Sequence, residues 1–303
     1  MCAAASLYPW EYAAQAALLA GIVLAMLGLT AFDSQSKKLA RILIQVCVVL
    51  LGLRLDLGEM WAELRSGGVL AVATVFLTLA AGLLMGRALK TERDTSLLVS
   101  AGTAICGGSA IAAVGSSIRA SSGAMAVATG AIFVLNAVGL FVLPPLARAM
   151  GLTADQFGAW AGIALHDIAS VGAAGKAFGG GEDAAHTAMV VKLTRVIWIT
   201  PIALLAARYW PRADTGMARA PFPWFILGFL AASGLVTLVP SLKEQAKPLM
   251  VVKDSGFQLA LFLIGSGLSR KALAGVGWRA LVQAGLLWVL VAAAGLWAVK
   301  VIE

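Results

Sequence analysis

The sequence predicts an all-α polytopic membrane protein with about ten transmembrane segments, and three observations carry this prediction. Of the 303 residues, 60% are hydrophobic and only 13% are charged. The apolar runs are about 20 residues long, which is the length that a helix needs to span a bilayer. These runs recur from one end of the chain to the other. We therefore expect a single transmembrane domain over residues 1–303, surrounded by lipid.

Ten hydrophobic segments follow one another along the chain. They are predicted at 10–32, 39–60, 67–89, 96–118, 123–149, 155–178, 184–209, 221–240, 251–270 and 278–302. Outside the seventh segment, thirteen lysines and arginines fall in one alternating set of loops and eight in the other. The positive-inside rule places the richer set in the cytoplasm, which puts both chain termini outside. This distribution explains the net charge of +8 and gives no reason to expect a nucleic-acid partner.

The fourth segment, around Thr95–Ser122, is rich in small and polar residues. Its centre reads SAGTAICGGSAIAAVGSSI. Because glycine costs about 1 kcal/mol relative to alanine inside a helix, we expect a break near Cys106–Ser109. Irregular backbone at membrane depth persists only where protein or a watery cavity satisfies its polar groups, and transporters place binding sites there. The alternative is an unbroken helix whose small residues permit close packing.

The sequence also indicates an internal repeat, with halves 1–150 and 151–303. The second and third segments resemble the ninth and tenth, and an odd number of segments separates them, as an inverted repeat requires. The fourth segment has a counterpart in AGIALHDIASVGAAGKAFGGG at 161–181, at an offset of 60 residues. Two simple spans separated by one other span would be parallel rather than inverted. Either one of these two segments is re-entrant, or their likeness is only compositional.

Four ionisable side chains lie inside apolar segments: His166 and Asp167 in the sixth, and Lys192 and Arg195 in the seventh. At positions i and i+3, the two cations share one face of a helix. Each costs about 2.5 to 3.5 kcal/mol at the centre of a membrane helix, so both need partners. Asp167 can offset only one of them, and a bound anion would supply the second negative charge. The alternative is a structural network of the cations with Asp167 and backbone carbonyl groups.

His166 and Asp167 are also candidates for proton coupling, because an unperturbed imidazole titrates near neutral pH. The alternative for His166 is a hydrogen-bonded interior residue. Asn136 stands alone in the apolar fifth segment, and we expect it to donate a hydrogen bond between helices.

Other chemistries lack their motifs in this sequence. There is no Walker sequence, HExxH, GxSxG or CxxC, so ATP hydrolysis, metal catalysis and a serine nucleophile are not indicated. Cys2, Cys47 and Cys106 have no histidine nearby at metal-ligand spacing, and we predict neither a disulfide framework nor a metal site. We expect no cofactor and no enzymatic activity.

Five stretches together resemble one known family. They are LGLRL at 51–55, SAGTAICGGSAIAA at 100–113, LHDIASVGAAG at 165–175, VKLTRV at 191–196 and PWFILGF at 223–229. In these stretches the chain resembles the YeiH-type family of bacterial inner-membrane proteins, whose name describes sulfate export. The resemblance implies a multi-pass secondary transporter of the bacterial inner membrane, with the inverted repeats and two broken, crossing segments of antiporter and bile-acid-symporter folds. It also implies sulfate or a related sulfonate as the substrate.

Together these observations predict a secondary active transporter of a small oxyanion that works by alternating access. The anion is expected where the breaks at 102–109 and 164–172 meet the buried cations, because half-helix N-termini favour negative charge. The candidate binding residues are Gly102, Thr103, Cys106, Gly107, Gly108, Ser109, His166, Asp167, Ser170, Lys192 and Arg195. An anion channel is the first alternative, and a membrane-embedded enzyme that uses His166 and Asp167 is the second. The expected partners are the anion and the lipid bilayer, and a homodimer is one option for the oligomeric state.

Overall fold

The computed structural model describes residues 13–29, 34–53, 57–179, 181–210, 224–270 and 277–301, and the regular structure within these ranges is entirely helical. In chain order the helices are α1 (Ala13–Met26), α2 (Ser34–Gly52), α3 (Leu57–Ala88), α4 (Arg93–Ala104), α5 (Gly108–Ser117), α6 (Ser122–Ala149), α7 (Ala154–Ala164), α8 (Ile168–Phe178), α9 (Gly181–Val196), α10 (Ile199–Tyr209), α11 (Trp224–Leu238), α12 (Leu242–Gln245), α13 (Lys247–Ser266) and α14 (Trp278–Val301). The predicted all-α class is confirmed for this part of the chain. The first twelve residues, which include Cys2, lie outside it.

The described helices have the length and surface of a membrane protein. Four stretches are long and apolar enough to cross a bilayer: Gly123–Ala149, Asp183–Tyr209, Lys247–Ser266 and Trp278–Val301. Shorter apolar helices lie at Ala13–Met26, Val72–Ala88, Ile168–Phe178 and Leu227–Leu238. Large apolar side chains face outward, such as Leu77 on α3 (68% exposed) and Trp297 on α14 (67% exposed). Extended apolar exteriors of this kind suit lipid rather than water.

The chain divides into two compact units, each made of separate stretches of sequence. The first unit comprises Met1–Gly67 and Pro223–Arg270. Within it, α1 and α13 approach each other backbone to backbone: a Cβ atom on Gly21 would lie 2.2 Å from Phe262 O, and one on Gly265 would lie 2.3 Å from Leu18 O. Helices in membranes commonly pack through such small residues. The second unit comprises Gly68–Phe222 and Lys271–Glu303 and contains the candidate site.

The fourth predicted segment folds back on itself. Helices α4 and α5 are separated by a turn at Ile105–Gly107. A Cβ atom on Gly115 would lie 3.4 Å from Leu98 Cδ2, and one on Gly102 would lie 3.0 Å from Ile111 Cδ1. In one straight helix, residues 98 and 115 would be about 25 Å apart. We call α4 and α5 the first hairpin, with residues 105–107 as its tip.

The sixth predicted segment folds back in the same way. Helices α7 and α8 are separated at residues 165–167. The rings of Phe157 and Phe178, near the outer ends of these helices, stack with their centroids 4.4 Å apart. A straight helix would hold them about 30 Å apart. Helices α7 and α8 form the second hairpin, with residues 165–167 as its tip.

Helix α6 connects the hairpins and shows how they are arranged. Its start lies at the open end of the first hairpin, where Met125 is 3.1 Å from the position of a Cβ on Gly115. Near its end, Arg148 Nη1 donates to Ala177 O (2.7 Å) at the open end of the second hairpin. The hairpins therefore approach the middle of α6 from opposite ends. Their tips meet there, since a Cβ on Gly107 would lie 3.3 Å from His166 Cβ.

Helices α9, α10 and α14 run alongside both hairpins. Helix α9 begins at the open end of the second hairpin, and Trp210, just after α10, donates from Nε1 to Asp94 Oδ1 (3.1 Å) at the open end of the first. Helices α9 and α10 are separated by a break at residues 197–198, because Pro201 lacks the N–H that would bond the Ile197 carbonyl. On α14, Gln283 donates to Ser96 Oγ (3.0 Å), and further along Ala292 O accepts from Trp160 Nε1 (2.8 Å).

Two sequence predictions need correction. Segments 96–118 and 155–178 are not straight spans, and they do not form two crossing broken helices; each is a hairpin, and the hairpins meet at their tips. Both segments fold back, whereas the sequence offered one re-entrant segment or a merely compositional likeness as alternatives. The two-unit division is also discontinuous in sequence and differs from the predicted halves 1–150 and 151–303, which stay a prediction.

Candidate functional site

The tip of the first hairpin is an interruption of the helix at residues 105–107. Gly107 has φ +66°, a value in the left-handed region that favours glycine. Its N–H donates to Gly102 O (2.8 Å), five residues back, so the regular ladder is broken. The predicted interruption is confirmed but is shorter than expected, because Thr103 and Ser109 are helical. That the tip lies at mid-membrane depth stays a prediction.

The tip of the second hairpin is held by a polar network around Asp167. The carboxylate caps α8 by accepting from Ser170 N (2.9 Å) and from Ser170 Oγ (2.7 Å). Asn136 on α6 donates to Asp167 Oδ2, and its Oδ1 accepts from His166 N (2.8 Å). The predicted helix-to-helix hydrogen bond of Asn136 is confirmed. His166 and Asp167 lie in the break itself rather than within a helix.

Lys192 and Arg195, both on α9, link the two hairpins. Lys192 Nζ donates to Leu165 O and Ile105 O (3.4 Å). Arg195 Nη1 reaches Ile163 O (3.4 Å) and Ala104 O (3.5 Å). Each cation thus binds one carbonyl oxygen at the carboxyl end of α4 or its tip and one at the carboxyl end of α7 or its tip.

Both cations are fully enclosed by protein. Lys192 is 0% exposed and Arg195 is 1% exposed. Arg195 Nη2 also donates to Thr74 Oγ1 (3.0 Å) on α3. Among the described residues, neither cation is within salt-bridge distance of Asp167, although that carboxylate lies within electrostatic range of Lys192. The alternative proposed from the sequence was a structural network of the cations with Asp167 and backbone carbonyl groups. The hydrogen bonds to carbonyl groups are present, whereas the ion pair with Asp167 is absent from the described part of the chain.

The sequence made no prediction about which helix ends these cations contact. They bind the carboxyl ends of the first helix of each hairpin. The reason is electrostatic: free carbonyl groups give the end of a helix a partial negative charge, whereas an N-terminus carries a partial positive charge that repels a cation.

The charges at the tips do not balance. Each helix end contributes about half a unit charge, and the two carboxyl ends and two amino ends that meet here cancel. Two cationic side chains and one carboxylate remain. By formal charge the junction therefore has one more positive than negative group, in a region where the side chains concerned are at most 9% exposed.

Two buried polar side chains at the junction lack hydrogen-bond partners. His166 is 1% exposed, and neither Nδ1 nor Nε2 has a partner in the described part of the chain. Thr103 is 3% exposed, and its Oγ1 is also unpaired there. The His166 ring is near enough to Lys192 and Arg195 for their charges to act on it. His166 is therefore an interior residue, but its side chain makes no hydrogen bond within the described residues, in contrast to the alternative considered for it.

The remaining predicted residues fall on or beside the tips. Cys106 Sγ and Ser109 Oγ are 2.8 Å apart, and Ser109 is exposed in the first turn of α5. Gly108 faces the Phe133 ring, at 3.4 Å from a built Cβ, and Gly102 is a packing residue. No group of His, Cys, Asp and Glu able to hold a metal ion is present among the described residues.

Sequence reasoning placed Asn136 outside the site and missed Thr74. Asn136 is part of the second tip, and its isolated amide in an apolar segment was the available signal. Thr74 had no such signal, because one threonine in a membrane helix is unremarkable and its importance comes only from its contact with Arg195.

Comparison with known proteins gives a consistent family result and no activity. The family model described as "Conserved hypothetical protein 698" matches residues 3–284. The chain is 41% identical over 283 residues to a UPF0324 membrane protein of Porphyromonas gingivalis, covering 92% of this chain and 84% of that protein. It is 40% identical over 292 residues to a UPF0324 membrane protein of Geobacter sulfurreducens (96% and 92%), and 38% identical over 289 residues to one of Bdellovibrio bacteriovorus (94% and 88%). No solved structure matches the chain.

Proposed function

Since the chain belongs to the membrane-protein family described as conserved hypothetical protein 698, whose members named above carry no stated activity, we propose a function from the site itself. The protein is a secondary active transporter of a small anion, with sulfate, a sulfonate or a related oxyanion as the substrate. One observation carries the proposal. Two buried cationic side chains and one carboxylate leave a formal excess of positive charge where two hairpin tips meet, and a buried charge is costly unless it is compensated.

The arrangement of the hairpins supports alternating access. The tips lie beside the middle of α6, and the open ends of the hairpins lie at its two ends. A site between two such tips has one hairpin between it and each side of the membrane, so movement of either hairpin would expose it to one side only. Transporter sites are commonly built at the midplane from interrupted helices in this way.

An inverted repeat is part of the proposal. The tips at 105–107 and 165–167 are 60 residues apart, and so are Gly102 and Gly162, and Gly115 and Gly175. Because α6 runs from the open end of one hairpin to the open end of the other, the hairpins point in opposite directions along it. The offset and the opposed directions together are what an inverted repeat predicts.

The membrane topology follows from the hairpins and the loop charges. We place eight crossings at α1, α2, α3, α6, α9–α10, α11, α13 and α14, with both hairpins re-entrant. Relative to ten simple spans, Arg119 moves to the cytoplasmic side and Arg148 to the outer side. The bias of thirteen to eight basic residues is unchanged, so the positive-inside rule still favours the bacterial inner membrane with cytoplasmic α3–α4 and α10–α11 loops.

His166 is the stronger of the two candidates for proton coupling. Its ring nitrogens have no partner in the described residues, so they are available to bind a proton or a ligand. The Asp167 carboxylate is committed to Ser170 and Asn136. This commitment also argues against an enzyme in which Asp167 orients the imidazole. A channel is less well supported than a carrier, because the basic residues bind backbone carbonyls instead of lining a pore.

Flux into proteoliposomes tests the carrier. Purified protein is reconstituted, the vesicles are loaded with unlabelled sulfate, methanesulfonate or acetate, and entry of the labelled anion is followed. A carrier gives saturable uptake that is accelerated by unlabelled anion on the opposite side. Conductive flux without counter-flow would replace the carrier by a channel. Absence of both flux and binding for every anion would remove the anion assignment.

A further inference from the structure

We infer that the His166 imidazole and the Thr103 hydroxyl are direct hydrogen-bond donors to the transported anion, which binds at the amino end of α5. In this arrangement Lys192 and Arg195 do not touch the anion; they hold the two tips together and supply positive charge from behind the backbone. The inference rests on the proposed function and names the residues that recognise its substrate.

The first support is the state of the two side chains. His166 and Thr103 are 1% and 3% exposed and have unpaired polar atoms in the described part of the chain. A buried polar group that lacks a partner costs about 1 to 3 kcal/mol, and such groups are rare in folded proteins. Both lie at or within one turn of a hairpin tip. A ligand that accepts hydrogen bonds would satisfy both.

The second support is the amino end of α5. Gly107 is its N-cap residue and provides no side-chain hydrogen bond to the helix. The Cys106 thiol contacts Ser109 Oγ and the Ala110 N–H in the first turn, but no carboxylate closes this end as Asp167 closes the amino end of α8. Because Gly107 has no Cβ, His166 can lie directly against this end of the helix: an added Cβ would be only 3.3 Å from His166 Cβ. Free N–H groups and a partial positive charge at a helix N-terminus favour an oxyanion. In the first turn Gly108 is partly exposed and Ser109 is exposed, so this end is accessible.

The third support is the engagement of the cations. Lys192 donates to carbonyls of both tips, and Arg195 donates to Ile163, Ala104 and Thr74. Direct contact with the anion would require these bonds to be exchanged. Their charges nevertheless act on a site near His166, because that ring is within their electrostatic range. The anion is therefore held by neutral donors in a positive field.

The test measures thermal unfolding of the purified protein with sodium sulfate, methanesulfonate or acetate against sodium chloride at equal ionic strength. The variants are Thr103→Val, which removes only the hydroxyl, and His166→Leu, which removes the imidazole. His166→Gln is compared with them because glutamine keeps a hydrogen-bond donor. His186→Leu is the matched control, since His186 is the chain's other histidine and lies on α9 away from the tips.

We expect Thr103→Val without added anion to unfold at or above the wild-type temperature, because it removes an unpaired buried hydroxyl. Its affinity for the anion that stabilises the wild type should fall at least tenfold, as should that of His166→Leu, while His166→Gln retains part and His186→Leu retains all. Wild-type affinity in both Thr103→Val and His166→Leu would overturn the inference and leave the carrier standing. No stabilisation of the wild type by any of the three anions would overturn the proposed function.

Discussion

At the scale of single residues, the two buried cations serve as links between the hairpins. Lys192 and Arg195 each bind carbonyl oxygens from both hairpins. These carbonyls are free because the helices end there, and a cation near a carboxyl end is favoured by about 0.3 to 1 kcal/mol or more when partly buried. The long, flexible lysine stem and the planar guanidinium group reach carbonyls in different directions.

Lys192→Met should therefore lower the stability of the folded protein. It leaves Ile105 O and Leu165 O without this donor, and each unsatisfied buried acceptor costs about 1 to 3 kcal/mol. Thermal unfolding in detergent measures the loss. Lys300→Met is the control, because Lys300 is exposed near the end of α14 and its replacement should change little.

A double variant separates this role from an ion pair. If Lys192 were paired with Asp167, adding Asp167→Asn to Lys192→Met would restore stability, because no carboxylate would be left unpaired. The described geometry contains no such pair, so we expect no restoration. Recovery of the wild-type unfolding temperature in the double variant would mean that the carboxylate, not the carbonyls, is the main partner of Lys192.

At the scale of secondary-structure elements, the tip of the first hairpin depends on one glycine. Gly107 has a positive φ, and an added Cβ would lie 3.3 Å from His166 Cβ and Ile132 Cγ2. Gly107→Ala should cost about 1 to 3 kcal/mol from backbone strain alone, because φ +66° with ψ −122° is a conformation that residues with a side chain rarely adopt. Gly108→Ala is the matched control: its nearest new contact, to Phe133, is 3.4 Å away, and alanine favours helix. Equal unfolding temperatures for the two variants would contradict the described tip.

The fold-back of the second hairpin predicts a cross-link. In a protein whose three native cysteines are replaced by alanine, Phe157→Cys and Phe178→Cys should form an intramolecular disulfide on mild oxidation, detected by mass spectrometry of the linked peptides. Met125→Cys with Leu146→Cys has the same sequence separation within the continuous helix α6. That pair should stay about 30 Å apart and unlinked. A straight helix over 155–178 would leave both pairs unlinked.

At the scale of the whole molecule, the proposed topology with two re-entrant hairpins moves Arg119 and Arg148 to the opposite sides of the membrane from those that ten simple spans would give. Lys243→Cys should react with a membrane-impermeant maleimide from outside intact cells, in keeping with the loop charges. Arg119→Cys should react only after the membrane is opened, because the first hairpin returns residue 119 to the side of residue 93. Labelling of position 119 from outside would instead indicate a straight fourth span. Labelling of position 243 from the cytoplasm alone would mean that the proposed orientation in the membrane is inverted.

The helical membrane class, the places where the helices break and the side chains that lie at the breaks could all be predicted from the amino-acid sequence. Glycine content reports the local cost of a helix, so the interruption near Cys106 was predictable. Ionisable side chains inside apolar segments marked His166, Asp167, Lys192 and Arg195 as candidates. The direction of the chain after a break was not predictable, because a re-entrant hairpin and a straight span of 20 residues have the same composition and the same local periodicity.

Which groups meet could not be predicted, because it depends on how the helices pack. Lys192 and Arg195 bind carbonyl oxygens rather than Asp167, and those acceptors exist for them only because two fold-backs bring the ends of α4 and α7 to α9. Every residue has a carbonyl group, so no sequence pattern marks the few that become ligands. The Asp167 carboxylate accepts hydrogen bonds from Asn136 and Ser170 instead. An N-cap interaction and a neighbouring amide are enough to stabilise it without a counter-ion.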